Sequence, residues 1–223
     1  GDVSLSNLIS NSGVVAADTT GVGTARDSLT ATGFGVELAI FGYGNAGGNV
    51  SLTNKVSSSG VVASDTTGVG TARQFPAAAR FGSSGQAIFA FGSTNKANLV
   101  SNTGVVSADV DGVGSSKEYL AGAGYGGDKA IMGYGVTSGL TNVTNLINNL
   151  GVVGSDVTGV GTARNILNAA SFGGDKAIFG YGATSGKVSL TNLVSNSGVV
   201  ASDVSGVGTA RSGLVAGEFS TSA

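Results

Sequence analysis

An aspartate stands eight residues before a basic side chain five times in this chain: Asp18 and Arg26, Asp65 and Arg73, Asp109 and Lys117, Asp156 and Arg164, Asp203 and Arg211. A carboxylate and a guanidinium flanking a Gly-rich turn can meet in a charge-assisted hydrogen bond that pins the turn. Lys117 is the odd member, because an ammonium cannot reproduce a bidentate guanidinium contact. The same cations, gathered on one face, would instead bind an anionic sugar or partner. A second recurrent feature is an aromatic residue closing an aliphatic run, at Tyr43, Phe91, Tyr134 and Tyr181. Aromatic platforms beside polar loop atoms suit sugars, so these four are candidates for a ligand rim. The competing use is packing in the core or under the rim.

Other chemistry finds no support. The chain has no His and no Cys, which removes thiolate chemistry, disulfides, zinc sites of the usual type and the commonest proton shuttle near pH 7. Almost every polar feature recurs four or five times, whereas an active site is normally singular. The residues that do not recur, Glu37, Pro76, Arg80, Glu118 and Glu218, form no recognisable group. Residues 42–47 (GYGNAG) fit a dinucleotide fingerprint, but that motif needs a following helix, and here another strand follows. The loop DVDG at Asp109–Gly112 has sister loops with too few carboxylates for a calcium cage. The expectation is a protein without catalytic residues, cofactor or metal.

The elements that position these side chains are repeats. GVGTAR closes at Arg26, Arg73, Arg164 and Arg211, and GVGSSK closes at Lys117, with spacings of 47, 44, 47 and 47 residues. Periods of this size mean a solenoid, a propeller or an array. Residues 27–73, 118–164 and 165–211 are complete units. Residues 74–117 are an irregular one, with one extra residue before QAIFAFG and four fewer between Gly92 and Asn98. Residues 1–26 match only the second half of a unit, and 212–223 only its opening.

Each unit offers four short strands separated by Gly-rich turns: one after the basic residue, then KAIFGYG, then KVSLTNLVS, then SGVVAS. The second carries no polar relief, as expected for a strand covered on both faces. No segment has the apolar spacing and caps of a helix. Four strands per unit is the pattern of propeller blades. The expected fold is all-β: a single five-bladed β-propeller over 1–223, its last blade closed by 1–26 and 212–223 together, so that no raw edge remains. An open β-solenoid is the rival.

The order of cues resembles kelch-type repeats, although Tyr181 splits the double glycine and the expected Trp of the fourth strand is missing. The phrasing GTAR, GGDKAIFGYG and SLTNLVSN also resembles repeat proteins of tailed-phage virions. That resemblance implies a structural or host-attachment module, associated with an appendage or fibre and partnered by other virion proteins, on a virion or extracellular surface. Surface glycans are the alternative partner, bound weakly once per blade and strengthened by repetition. A net charge of −2 offers no footprint for nucleic acid. No apolar run is long enough for a membrane helix. Gly1 is no initiator Met, so the chain reads as a processed product or part of something longer.

Overall fold

The computed structural model describes residues 1–218; positions 219–223 of the expected closing segment lie outside the described residues. All regular structure is β, in antiparallel sheets of three or four strands, with no helix among the described residues. The first sheet is β1 (Thr30–Phe34), β2 (Leu38–Gly42) and β3 (Thr53–Val56). The second is β4 (Ala77–Phe81), β5 (Gln86–Ala90), β6 (Lys96–Val100) and β7 (Val110–Asp111). The third is β8 (Ala121–Tyr125), β9 (Lys129–Gly133), β10 (Thr144–Ile147) and β11 (Val153–Val157). The fourth is β12 (Asn168–Phe172), β13 (Lys176–Gly180) and β14 (Thr191–Val194).

Each sheet is a meander in sequence order, and each falls within one repeat unit. The fourth strand is regular in the second and third sheets. In the first and fourth it is reduced to pairs of bridges, Thr53↔Thr66 with Val56↔Val62 and Thr191↔Val204 with Val194↔Val200. The same two bridges recur near the N-terminus, as Ser6↔Thr19 and Ile9↔Val15, where they form a hairpin with no β-ladder to 212–218 among the described residues.

The middle strands are covered on both faces, as their unbroken apolar composition requires. Ile40, Ile88, Phe89, Ile131 and Phe179 have no exposed surface. Burying side chains of this size contributes about 1.5–3 kcal/mol each. Between sheets the packing is serial: Phe34, Ile40 and Tyr43 meet Ala78, Phe89 and Val100, and the pattern repeats between the second and third sheets and between the third and fourth. Ring pairs fill these layers, Tyr43 and Phe89 edge-to-face with centres 5.2 Å apart and Tyr134 and Phe179 tilted at 5.0 Å. The first strands are rich in Ala and Gly, so their backbones converge. There they surround a cavity of about 760 Å³ lined by residues of β1, β4, β8 and β12 and by 3–6 and 215–218.

Candidate functional site: the joints between units

Four of the five basic residues that close a unit are drawn into the next unit. Arg26, Arg73, Lys117 and Arg164 are buried, the last with no exposed surface. An isolated buried charge is costly, so its partners decide whether the arrangement holds. Arg164 donates from Nε to the Tyr181 carbonyl (2.8 Å), from Nη1 to the Thr162 carbonyl (3.1 Å) and from Nη2 to Asn192 Oδ1 (2.7 Å). Arg26 makes the same three bonds, to Tyr43, Thr24 and Asn54. The guanidinium also lies over an aromatic ring of its own unit: Arg73 over Tyr43 at 4.0 Å and Arg164 over Tyr134 at 4.3 Å, with Lys117 over Phe91 at 4.6 Å.

The aspartates complete the joint, with a partner other than the one their spacing suggests. Arg26 faces Asp65 at 3.6 Å, Lys117 faces Asp156 at 3.1 Å and Arg164 faces Asp203 at 3.9 Å. Each of these three cations therefore pairs with the Asp of the following unit, which corrects the pairing with the Asp eight residues upstream. The reason is strand direction: the GVGTAR turn leaves its sheet and enters the next one before the basic side chain is reached. Lys117 gives the closest approach, because its ammonium reaches both Asn145 Oδ1 and the carboxylate.

Each of these Asp carboxylates also accepts from the Thr or Ser two residues before the cation, through backbone N–H and hydroxyl together: Thr24 to Asp65, Thr71 to Asp109, Ser115 to Asp156 and Thr162 to Asp203. The Asn of the third strand adds its Nδ2 to the same carboxylate and to a carbonyl across the hairpin, as Asn192 does with Asp203 and Ala201. Burial alone would raise the Asp156 carboxyl, but bonds from Ser115, Asn145 and Lys117 and the charge of Lys117 outweigh it and hold the pKa at about 2. Asp65, Asp109 and Asp203 move in the same direction for the same reasons. The turn glycine is required by closeness: a Cβ on Gly161 would run into Asp203 Oδ1 and Asn192 Nδ2, and Gly23 and Gly70 meet the matching pair in their own joints.

The four aromatic residues of the candidate rim belong to the joints. Tyr43, Phe91 and Tyr134 are fully buried and Tyr181 is half-buried. All four hold left-handed backbone, at φ between 62° and 66°, a conformation that costs a non-glycine residue roughly 1–3 kcal/mol. Three things fix it: the covering cation, for the three Tyr the hydroxyl donated to a turn carbonyl (Tyr134 to Val160, 3.1 Å) and, for Tyr43 and Tyr181, the carbonyl turned toward an Arg. Burial pushes the Tyr43 hydroxyl up to about 12, against the opposing charge of Arg73.

Asp18 and Arg211 belong to the first and last copies of the repeat. Among the described residues Asp18 accepts from Asn7 Nδ2, and Arg211, an exposed residue, stacks its guanidinium on Tyr181 at 4.2 Å. Among the unique residues, Arg80 and Glu218 line the cavity between the first strands, Glu118 accepts from Ser93, and Pro76 precedes β4. Residues 42–47 lead from β2 into β3. Asp109 is committed to its joint, and Asp111 pairs with Lys96. Among the described residues no three acidic side chains gather where a metal could sit. No helix there is long and apolar enough to cross a membrane.

The residues that sequence reasoning passed over are the third-strand Asn54, Asn98, Asn145 and Asn192 and the Thr or Ser of the GVGTAR turn. Their signal was available: an Asn stands 11 residues before every joint Asp. Compared with protein-family models and with curated proteins, the chain gives no match.

Proposed function

We propose that this chain is a non-enzymatic structural and interaction module, a five-unit β-propeller displayed on a virion or a similar surface assembly. The carrying observation is that the recurrent polar residues are spent on joining units. Each unit also offers apolar side chains to solvent. Val14, Val61, Val105, Val152 and Val199, at the outer hairpin tips, are each more than half exposed. Their tips are held rigid by a Ser or Asn side chain that accepts from the valine N–H, as Ser57 does from Val61. Repeated apolar points on a stiff frame suit assembly contacts.

The ring draws support from two features. The first strands of four sheets and residues 215–218 surround one cavity. Residues two positions after the cation link unit to unit: Phe75 N–H donates to Ser28, Ile166 to Tyr119 and Gly213 to Ile166, all at positive φ. Deleting 212–223 is expected to lower the melting temperature sharply; an unchanged value would favour a solenoid. Immunogold labelling of purified particles should place the chain on their surface, and label confined to other fractions would overturn that placement. The lectin alternative predicts saturable binding on a glycan array that is lost when Tyr43, Tyr134 and Tyr181 are changed together. Burial of those rings weighs against it.

A further inference from the structure

Lys117 is the one lysine among the five recurrent cations, and it alone has the chemistry of a nucleophile. A guanidinium stays protonated, whereas a buried ammonium can give up its proton and present a lone pair. Its Nζ lies 2.6 Å from Asn145 Oδ1 and 3.1 Å from Asp156 Oδ1. The same carboxylate oxygen accepts from Asn145 Nδ2 at 2.9 Å, and Nδ2 also donates to the Gly154 carbonyl at 3.0 Å. These two bonds fix the amide with its oxygen toward the lysine. An amine, a carboxamide and a carboxylate thus meet at one point. Neither the Lys117 side chain nor Asn145 has exposed surface, and the Phe91 ring covers the amine at 4.6 Å.

We propose that Lys117 and Asn145 become joined by an isopeptide bond, formed by the folded chain itself with Asp156 as the proton carrier. Asp156 first takes a proton from the Lys117 ammonium. The freed lone pair attacks Cγ of Asn145 and forms the Nζ–Cγ bond. A proton passed through Asp156 to Nδ2 lets the Cγ–Nδ2 bond break, and its electron pair leaves with the nitrogen as ammonia. Nothing is oxidised or reduced: one ammonium and one carboxamide give one secondary amide and one ammonium ion. The relay requires a single carboxylate in reach of both the attacking and the leaving nitrogen, which is where Asp156 Oδ1 stands. Burial of Lys117 and Asn145 keeps water from competing for Cγ. The Asp156 side chain is 31 % exposed and borders the solvent into which ammonia departs.

Burial pushes the Lys117 ammonium down in spite of Asp156, which favours the amine. Burial also raises the Asp156 carboxyl, but its hydrogen bonds and the charge of Lys117 hold it at about 2 and oppose the transfer. Moving the proton is therefore the uphill step, and the bond should form more slowly than the fold. Two other joints serve as internal controls. Asn54 and Asn192 present the same oxygen to Arg26 and Arg164 and the same Nδ2 to Asp65 and Asp203, so they have the electrophile and the carboxylate without the nucleophile. A bond from Lys117 to Asn145 closes a loop of 28 residues between the second and third units. It would restrict the unfolded chain as a disulfide does, in a protein that has no Cys. The inference stands on this joint alone, whether or not the units close into a ring.

Intact mass spectrometry of the full chain, followed while the folded protein is incubated until its mass is constant, tests the bond. The expected end point lies about 17 Da below the mass of the sequence, one ammonia lost per chain. Tryptic digestion should then yield 97–129 joined to 130–164 through a branch from Lys117 to Asn145. Lys117→Arg rebuilds the joint found at Arg26 and Arg164, so it should fold and keep its full mass. Asp156→Asn retains nucleophile and amide but loses the proton carrier; with its β circular dichroism intact, it should keep its full mass as well. A full mass for the unaltered chain, a loss that persists in Lys117→Arg, or a loss with the two peptides running separately would overturn the bond. An undiminished loss in Asp156→Asn would overturn the role assigned to Asp156.

Discussion

The joints at Arg164 and Arg73 are built from the same residue types and differ in how fully they are satisfied. Arg164 has three hydrogen bonds from its guanidinium, all at 3.1 Å or less. Arg73 is as deeply buried but makes two, to Thr71 (3.1 Å) and Phe89 (3.3 Å). Its Nε, which in the Arg26 and Arg164 joints gives to an aromatic residue's carbonyl, has no partner, and the oxygen of Asn98, whose counterparts accept from Nη2, has none either. The difference coincides with the irregular unit, whose connection between Gly92 and Asn98 is four residues shorter. That shortening leaves Phe91 without the carbonyl-to-guanidinium bond that Tyr43 and Tyr181 make. Arg73 keeps its place through the Tyr43 ring and the Asp109–Thr71 pair. A joint therefore survives the loss of part of its network, provided the ring and the carboxylate hold.

The largest expected contrast comes from deleting the cation. Arg164→Met should cost about 3–5 kcal/mol, since it strands Asn192 and Asp203 in a formed network. Arg73→Met should cost markedly less, because it also removes an unsatisfied buried donor. Chemical denaturation of the two variants reads the difference, and equal losses would break the comparison. Asn192→Ala should follow at about 2–3 kcal/mol, ahead of Asn98→Ala, whose oxygen has no bond to lose.

Acid should act on all four intact joints. The Asp carboxyls titrate lower in the folded chain than in the unfolded chain. Their contribution is therefore nearly complete above about pH 5 and is lost as pH falls through 3.8, the ordinary value, toward about 2 for Asp156. A melting-temperature series should fall through that window, and Asp156→Asn should flatten part of the slope. The smallest effect belongs to the aromatic hydroxyls. Tyr134→Phe removes one bond to Val160 and should cost about 0.5–1.5 kcal/mol. Phe91 already serves without a hydroxyl beneath Lys117.

Much of this was legible in the residues. The period placed the sheets, the apolar run placed the middle strands, and the Asp and Arg stood out as recurrent charges. The pairing was not legible, because an eight-residue spacing across a turn looks local. Only the departure of GVGTAR from one sheet into the next reveals that Arg26 belongs with Asp65. The rim aromatics failed to declare themselves for a related reason. A Tyr between two glycines looks like a loop residue, and its burial depends on a cation arriving from 30 residues further along the chain.

What the sequence determined by itself is local and periodic: strand alternation, turn glycines, unit length and the absence of catalytic groups that need His or Cys. What only the tertiary structure decided is which neighbour each charged group serves. Strand alternation and turn chemistry follow from residues close together in the chain. Burying a guanidinium depends on oxygen atoms contributed by two units, and their meeting is a property of how the sheets stack.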